Sequence, residues 1–229
     1  MNYFIDIVEK TPIDKGWSGD KKYRAVTASG DSYLLRIGPL GRSSQFWMQH
    51  LHMQKVARLG IPMSLSLEEG TCSDGLYLIQ SWIDGVDAEE ALPRYSEEQQ
   101  YAYGLEAGQI LRKIHSIPAP AEGCKPWDEY FGRKIDRKLK AYAECPLKYD
   151  HGEELVEFIQ SHRHLLYDRP QTFQHGDYHC GNMMIDSEGQ LTIIDFDKWD
   201  YGDPWEEFNR IVWCAQSAPA FASGMVDGY

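Results

Sequence analysis

One segment of the sequence, residues 173–197, contains the side chains best suited to chemistry. It begins Phe-Gln-His-Gly-Asp-Tyr-His-Cys-Gly-Asn and ends Ile-Ile-Asp-Phe-Asp. The carboxylates of Asp177 and Asp195 and the amide oxygen of Asn182 are ligands that Mg²⁺ accepts. Phosphoryl transfer needs a metal to neutralise charge and a carboxylate to orient an attacking hydroxyl, rather than a strong covalent nucleophile. These residue types therefore predict phosphoryl transfer.

A hairpin is expected to hold these groups. Residues 183–186 and 191–194 read as two strands joined by a turn centred on Glu188-Gly189. In that register Asn182 faces Asp195, and facing residues of antiparallel strands have Cα atoms only about 4.5–5.5 Å apart. Their oxygens are then able to bind one cation, and Asp177 lies on the loop that enters the same end.

The order His-Gly-Asp-x-x-x-x-Asn, followed by Ile-Asp-Phe-Asp, resembles the aminoglycoside phosphotransferase and choline kinase family, the small-molecule branch of the protein-kinase-like superfamily. The resemblance implies an α+β, protein-kinase-like bilobal fold. Its N-terminal lobe is an antiparallel sheet with one helix, and its C-terminal lobe is mainly helical. It also implies Mg²⁺ as cofactor and ATP or GTP as phosphoryl donor.

Carried over residue by residue, the resemblance assigns roles to the segment. It makes Asp177 the catalytic base and makes Asn182 and Asp195 the Mg²⁺ ligands. Two further residues support the catalytic loop, namely His175 and Glu207. Asp197 either joins the metal ligands or bonds the catalytic loop, because carboxylates beside a metal often orient the ligands instead of binding the metal.

The rest of the chain predicts the elements around this segment. A boundary near Asp84-Gly85 divides it into a nucleotide-binding lobe, 1–84, and a catalytic and acceptor-binding lobe, 85–229. Ser96 with Gln99 resembles a capping box at the start of a helix. The expected strands of the first lobe are 22–29, 32–37, 64–68 and 76–83, its helix is 43–59, and the second lobe has an amphipathic helix over 152–167.

The resemblance also implies a nucleotide site in the first lobe. Ser18 and Gly19 belong to the loop that covers phosphates, Arg36 takes the place of the phosphate-binding lysine, and Gln80 and Trp82 lie at the hinge that receives adenine. One feature departs from the family: the helix 43–59 has no Asp or Glu. The usual acidic partner of the basic residue is therefore missing, and Gln45 or Gln49 would have to replace it.

Composition limits the partners. The 229 residues have a formal net charge of −12, which disfavours nucleic acid. No signal peptide or membrane-spanning segment is evident, and five cysteines without a Cys-x-x-Cys pair indicate a reducing, cytoplasmic location. Residues 186–209 hold eight acids against one base, Lys198, and such a surface favours a cationic acceptor.

The leading hypothesis is a kinase that phosphorylates a hydroxyl of an aminoglycoside-like acceptor. Choline, a sugar or a macrolide are alternative acceptors, and a non-catalytic nucleotide-binding or scaffold protein of the same fold is an alternative function. A zinc site at His175, His179 and Cys180 is a weaker alternative, since no second ligand cluster accompanies it. The chain ends at Tyr229, whereas the family's C-terminal lobe generally continues, so we expect further native residues to complete the acceptor pocket and raise acceptor turnover.

Overall fold

A computed structural model describes residues 3–14 and 19–229. An antiparallel sheet of five strands forms the N-terminal part, in the order β1-β2-β3-β5-β4. Helix α1 lies in the connection between β3 and β4. The bounds are β1 Ile7–Ile13, β2 Lys21–Thr27, β3 Ser32–Gly38, α1 Ser43–Ala57, β4 Ser66–Cys72 and β5 Gly75–Ser81.

Alternating apolar side chains explain why these strands form a two-faced sheet. Leu35, Ile37 and Ile79 are buried on one side with Ala25. Leu76 and Leu78 of β5 pack with Phe46 of α1 in a separate cluster. Because successive side chains of a strand point to opposite faces, one strand such as β5 contributes side chains to both layers.

The remainder is mainly helical, with two small sheets. One sheet has the strand order β6-β8-β9, and the other pairs β7 with β10. Ser96 and Gln99 form the predicted capping box at the start of α3. The bounds are β6 Gly85–Asp87, α2 Ala88–Ala91, α3 Glu97–Ile114, α4 Trp127–Glu144, α5 Gly152–Ser161, β7 Thr172–Gln174, β8 Met183–Asp186, β9 Leu191–Ile193, β10 Asp200–Gly202, α6 Ile211–Ser217 and α7 Pro219–Gly228.

The main hydrophobic core crosses the predicted boundary at residue 84. Met53 and Val56 of α1 belong to the same buried cluster as Leu111 and Ile193. The segment after α1 also pairs with β9, since Ser64 donates its N–H to the carbonyl of Ile193 at 3.0 Å. The two halves therefore share packing, and the division into lobes 1–84 and 85–229 stays a prediction.

Four glycines allow α3 and α7 to approach very closely. A Cβ at Gly104 would lie 2.2 Å from the carbonyl oxygen of Phe221, and a Cβ at Gly108 would lie 2.4 Å from that of Met225. On the facing helix, a Cβ at Gly224 or Gly228 would lie 2.3 Å from a backbone oxygen of α3. These contacts are shorter than any side-chain carbon tolerates, so this crossing requires glycine.

We expect Gly108→Ala to destabilise the protein by about 1–3 kcal/mol, the usual cost of overpacking. The melting temperature should fall by about 2–4 °C per kcal/mol. Gly132→Ala in α4 is the matched control, because a Cβ there meets no atom within 4 Å. Its stability should be unchanged or higher by up to about 1 kcal/mol, the helix preference for alanine. Thermal and urea unfolding of both variants measure the difference, and equal stability of the two would show that the crossing is not tight.

The predicted helix over 152–167 is shorter than expected. Helix α5 ends at Ser161 and a 3₁₀ turn, Arg163–Leu166, follows it. The hydroxyl of Ser161 donates to the carbonyl of Glu157, and a ring nitrogen of His162 bonds the carbonyl of Phe158 at 2.7 Å. Such side-chain bonds compete with the helix ladder. The apolar side of α5 is also more exposed than the pattern indicates, with Phe158 60% accessible. None of the helices in the described residues is both long enough and apolar enough to span a bilayer.

Candidate active site

The loop between β7 and β8 is built around one glycine. Gly176 has a φ of 82°, and a Cβ there would lie 1.9 Å from the backbone oxygen of Lys198. Only glycine fits this position, because it takes positive φ without strain and has no side chain to collide. His175, just before it, is buried and donates from Nε2 to the carbonyl of Ile194 at 2.9 Å. The loop is thereby fixed to the end of the β8–β9 hairpin.

Glu207 lies under the same loop. Its carboxylate accepts the backbone N–H of Gly176 at 2.9 Å and that of Tyr178 at 3.3 Å, and Nε2 of His115 is 3.6 Å away. Burial would raise the pKa of Glu207, but the nearby His115 imidazole and the N–H bond from Gly176 outweigh it and hold the pKa below its usual range. A charged acceptor at this place organises the loop, in the bracing position that the sequence predicts.

We expect Glu207→Gln to lower the free energy of unfolding by about 1–3 kcal/mol, because buried N–H donors lose a charged acceptor. The neighbouring Glu206→Gln is the matched control. Glu206 pairs with Lys134, and their side chains are 18% and 39% accessible; this partly exposed pair is screened by solvent, and we expect it to contribute only about 0–1 kcal/mol. Urea unfolding of both variants gives the comparison, and a larger loss for Glu206→Gln would contradict the role of Glu207.

Asp177 follows Gly176 and is partly accessible. Its Oδ1 forms an ion pair with Nε of Arg210 at 2.6 Å and lies 3.5 Å from Nε2 of His179. Burial would raise the pKa of Asp177, but the adjacent His179 and the charge of Arg210 outweigh it, so the pKa is lowered. Asp177 is therefore a carboxylate that is oriented by two partners. Sequence reasoning missed Arg210, since no local pattern links residue 210 to residue 177.

The hairpin register differs by one residue from the prediction. Met183 pairs with Ile193 and Ile185 with Leu191, so Asn182 faces Ile194 rather than Asp195. The reason is the turn: the N–H of Asp186 bonds the carbonyl of Gln190, which closes a turn of three residues, 187–189, where a two-residue turn was assumed, and Gly189 has a φ of 82°. Asp195 is the next residue along, so the two candidate metal ligands still lie at one end of the hairpin.

The side chain of Asn182 is held in a defined orientation. Its Nδ2 donates to the backbone oxygen of Asp177 at 2.9 Å. An amide that donates through nitrogen directs its carbonyl oxygen elsewhere and keeps that oxygen available as an acceptor. This bond connects a predicted metal ligand directly to the predicted base.

Asp195 has the features of a cation ligand. Its backbone is left-handed, with a φ of 63°, a conformation that Asp tolerates and that often occurs at functional sites. Burial and the nearby charge of Asp197 raise the pKa of Asp195. Its Oδ1 is buried and makes no hydrogen bond with the described residues, and a buried polar atom of this kind requires a partner. Asn182 and Asp195 therefore fit Mg²⁺, which usually takes one or two protein groups and completes its shell with water and phosphate.

The zinc alternative has no support in the described part of the chain, where no group of three or more His, Cys, Asp or Glu side chains could hold a metal. Nε2 of His175 is used by the carbonyl of Ile194. The backbone N–H of Cys180 bonds the sulfur of Cys214 instead of presenting a ligand set.

Asp197 bonds residues of the first half of the chain. Its carboxylate accepts from both Nη atoms of Arg36 and from Nε2 of Gln49. Burial would raise the pKa of Asp197, but the Arg36 bond outweighs it, and the pKa is lowered. Gln49 is one of the two residues expected to replace the missing helix acid, yet it bonds Asp197 and not Arg36. The acidic partners of Arg36 are Asp197 and Asp20, both outside the helix.

The remaining predicted nucleotide residues line one cleft. Arg36, Gln80 and Trp82 lie on its walls with Asp195 and with Lys22, which the sequence reading did not single out. Residues 82–84 follow the end of β5 and lie outside its ladder, and the carbonyl of Asp84 accepts the N–H of Ser187. Gly19 has a φ of 73° with open space around it, and Ser18 lies outside the described residues.

The acids of residues 186–209 are less available than their number indicates. Asp203 pairs with Arg169, Glu206 with Lys134, and Glu207 with the catalytic loop. Asp186 accepts two backbone N–H groups of its own turn. The region therefore presents much less free negative charge to a polycation than its composition predicts.

The family model described as "APH: Phosphotransferase enzyme family" matches residues 9–229. The chain belongs to this family. It is a phosphotransferase that acts on a hydroxyl group, and it has the α+β, protein-kinase-like fold that the sequence predicts. None of the curated proteins compared matches the chain.

Solved structures of the same fold are distant in sequence. The ADP-bound aminoglycoside phosphotransferase APH(2'')-Ib aligns with 100% of this chain and 79% of its own, at 17% identity and a TM-score of 0.71. Aminoglycoside phosphotransferase APH(4)-Ia aligns with 98% and 78%, at 15% identity and a TM-score of 0.69. The amicoumacin kinase hAmiN, in complex with AMP-PNP, Ca²⁺ and Ami, aligns with 99% and 75%, at 17% identity and a TM-score of 0.64.

Proposed function

We propose that this APH-family chain transfers the γ-phosphoryl group of ATP or GTP to a hydroxyl of a small acceptor, with an aminoglycoside-like molecule as the first candidate. The observation that carries the proposal is the grouping at one hairpin end. The side chain of Asn182 donates to the backbone oxygen of Asp177. Asp195 follows Ile194, the hairpin partner of Asn182. Its buried Oδ1 makes no hydrogen bond with the described residues. This grouping supports the proposal that the three residues act together as base and metal ligands.

Each residue has a role in this mechanism. Asn182 and Asp195 would hold Mg²⁺, which supplies positive charge to the triphosphate when bound. Asp177 orients the acceptor hydroxyl and accepts its proton, and Arg210 with His179 fixes the carboxylate direction. His175 and Glu207 hold the loop. Most of the rate in such a reaction comes from positioning and electrostatics, which this braced loop is suited to provide.

The nucleotide would occupy the cleft lined by Arg36, Gln80 and Trp82, with the base at residues 82–84 and Gly19 near the phosphates. A second groove, of about 160 Å³, is lined by Gly176, which precedes Asp177, and by Arg210, which pairs with the Asp177 carboxylate. We propose this groove as the approach for the acceptor.

The proposed acceptor class is based on solved structures of similar fold rather than on free negative charge at the protein surface. The structures of similar fold include aminoglycoside phosphotransferases bound to ADP, or to ATP with streptomycin. A cationic, aminoglycoside-like acceptor, a cytoplasmic location and a link to antibiotic resistance are therefore proposals. Choline, a sugar or a macrolide are further acceptors to include in the test.

A coupled assay of ADP and GDP release tests the proposal. Purified protein with Mg²⁺ and ATP or GTP is supplied with aminoglycosides, choline, sugars and macrolides in turn. We expect release that depends on Mg²⁺ and rises with one acceptor class. Nucleotide binding without acceptor-dependent release for any class would instead support the non-catalytic alternative.

A further inference from the structure

We propose that Lys22, rather than Arg36, makes the direct contact with the nucleotide phosphates. The inference rests on the proposed function, since it assumes that the cleft binds a nucleoside triphosphate with Mg²⁺. The family resemblance assigns the cationic phosphate contact to Arg36 of β3. The inference assigns that contact to Lys22 of β2 and gives Arg36 a positioning role.

The guanidinium of Arg36 is already occupied. Both of its Nη atoms donate to Asp197, and one also donates to Asp20 at 2.6 Å. The side chains of Arg36 and Asp20 are 2% and 0% accessible. Breaking a buried pair of this kind leaves uncompensated charges inside the protein. The free energy lost is larger than the free energy that a solvent-exposed contact with phosphate would provide. Arg36 is therefore expected to remain with its two carboxylates when a nucleotide enters.

Lys22 lies in the same cleft and has no close ion pair of this kind with the described residues. It is the cross-strand partner of Arg36 in the β2–β3 pair, so its side chain lies on the same side of the sheet. Its ammonium approaches Oδ2 of Asp195 to 4.0 Å, with the side chain 14% accessible. Among the described residues the ammonium makes no hydrogen bond. A cation is thus positioned at the candidate metal ligand and is free to take phosphate oxygens.

Lysine suits this task. Its ammonium is a compact point charge on a flexible stem with three rotatable donors, and lysine is a common phosphate ligand in nucleotide sites. Arg36 would act indirectly, by joining Asp197 and Asp20 into one buried network beneath the site. The contact between Lys22 and the phosphates would then determine how strongly the triphosphate binds, while the cleft walls hold the nucleoside.

Isothermal titration calorimetry of Lys22→Gln tests this assignment, with ATP and GTP in Mg²⁺ as probes and adenosine and guanosine as probes without phosphates. We expect affinity for the Mg²⁺ nucleotides to fall about tenfold to a hundredfold, as for a lost hydrogen bond to a charged group. Nucleoside affinity should be unchanged. Lys22→Arg keeps the charge and should retain most of the nucleotide affinity.

Lys21→Gln is the matched control, since Lys21 is the preceding residue and is exposed. It should bind nucleotides like the wild type. Wild-type affinity in Lys22→Gln, or an equal loss in Lys21→Gln, would overturn the assignment to Lys22. Absence of nucleotide binding in the wild type would overturn the proposed function itself, so the two failures are distinguishable. Thermal unfolding checks that each variant is folded.

Discussion

Asp177→Asn should lower turnover by about 10²–10⁴-fold while the protein still folds and binds Mg²⁺ nucleotide. The expected loss is that of a general base. Asparagine keeps the size of the side chain and still offers one oxygen to Arg210, so the loop bonds of Gly176 and Tyr178 to Glu207 should survive. Steady-state kinetics with the best acceptor and calorimetry with Mg²⁺ nucleotide together measure both halves of the prediction.

Asp150→Asn is the matched control for this variant. Asp150 is exposed in the connection between α4 and α5, outside the nucleotide cleft and the catalytic loop. Its turnover should equal that of the wild type. If folded Asp177→Asn also turned over at the wild-type rate, Asp177 would not be the base.

Asp195→Ala is expected to abolish the Mg²⁺-dependent part of nucleotide binding. Oδ1 of Asp195 is buried and has no hydrogen-bond partner among the described residues, and its loss would remove the main negatively charged metal ligand. Binding of ATP or GTP measured by calorimetry with Mg²⁺ and with a chelator should become equal in the variant, whereas the wild type should bind more tightly with Mg²⁺.

Asp200→Ala provides the comparison for Asp195→Ala. Asp200 is exposed, and its carboxylate accepts the N–H of the neighbouring Tyr201. This variant should keep the full effect of Mg²⁺. A metal effect of wild-type size in Asp195→Ala would remove Asp195 from the metal site.

The sequence predicted several elements, though not strand β1, because their signals are local. The capping box of α3 depends on Ser96 and Gln99, which are three residues apart, and both of its bonds form. The β2–β3 hairpin and α1 were predicted within a few residues of their observed bounds, because turn residues and apolar spacing mark them. The loop at the His-Gly-Asp segment was also predicted, because Gly176, which takes the left-handed conformation, lies within the motif itself.

Register and long-range partners were not predictable in this way. A turn longer by one residue placed Asn182 opposite Ile194 instead of Asp195. The expected strands 22–29 and 32–37 leave two residues between them, whereas β2 ends at Thr27 and β3 begins at Ser32, so the pairing of Lys22 with Arg36 was not foreseen. Asp197 and Arg36 are separated by 161 residues, and their pairing depends on how the two halves pack. Period and propensity carry no information on such a contact.

Mass spectrometry of the acceptor shows directly whether the chain transfers a phosphoryl group to an acceptor hydroxyl with Asp177 as base. The wild type, with Mg²⁺ and ATP or GTP, should convert one acceptor of the panel to a monophosphate, with one nucleoside diphosphate formed per product. Asp177→Asn should form this product about 10²–10⁴-fold more slowly. An unmodified acceptor in every reaction, or nucleoside diphosphate accompanied only by free phosphate, would contradict the account.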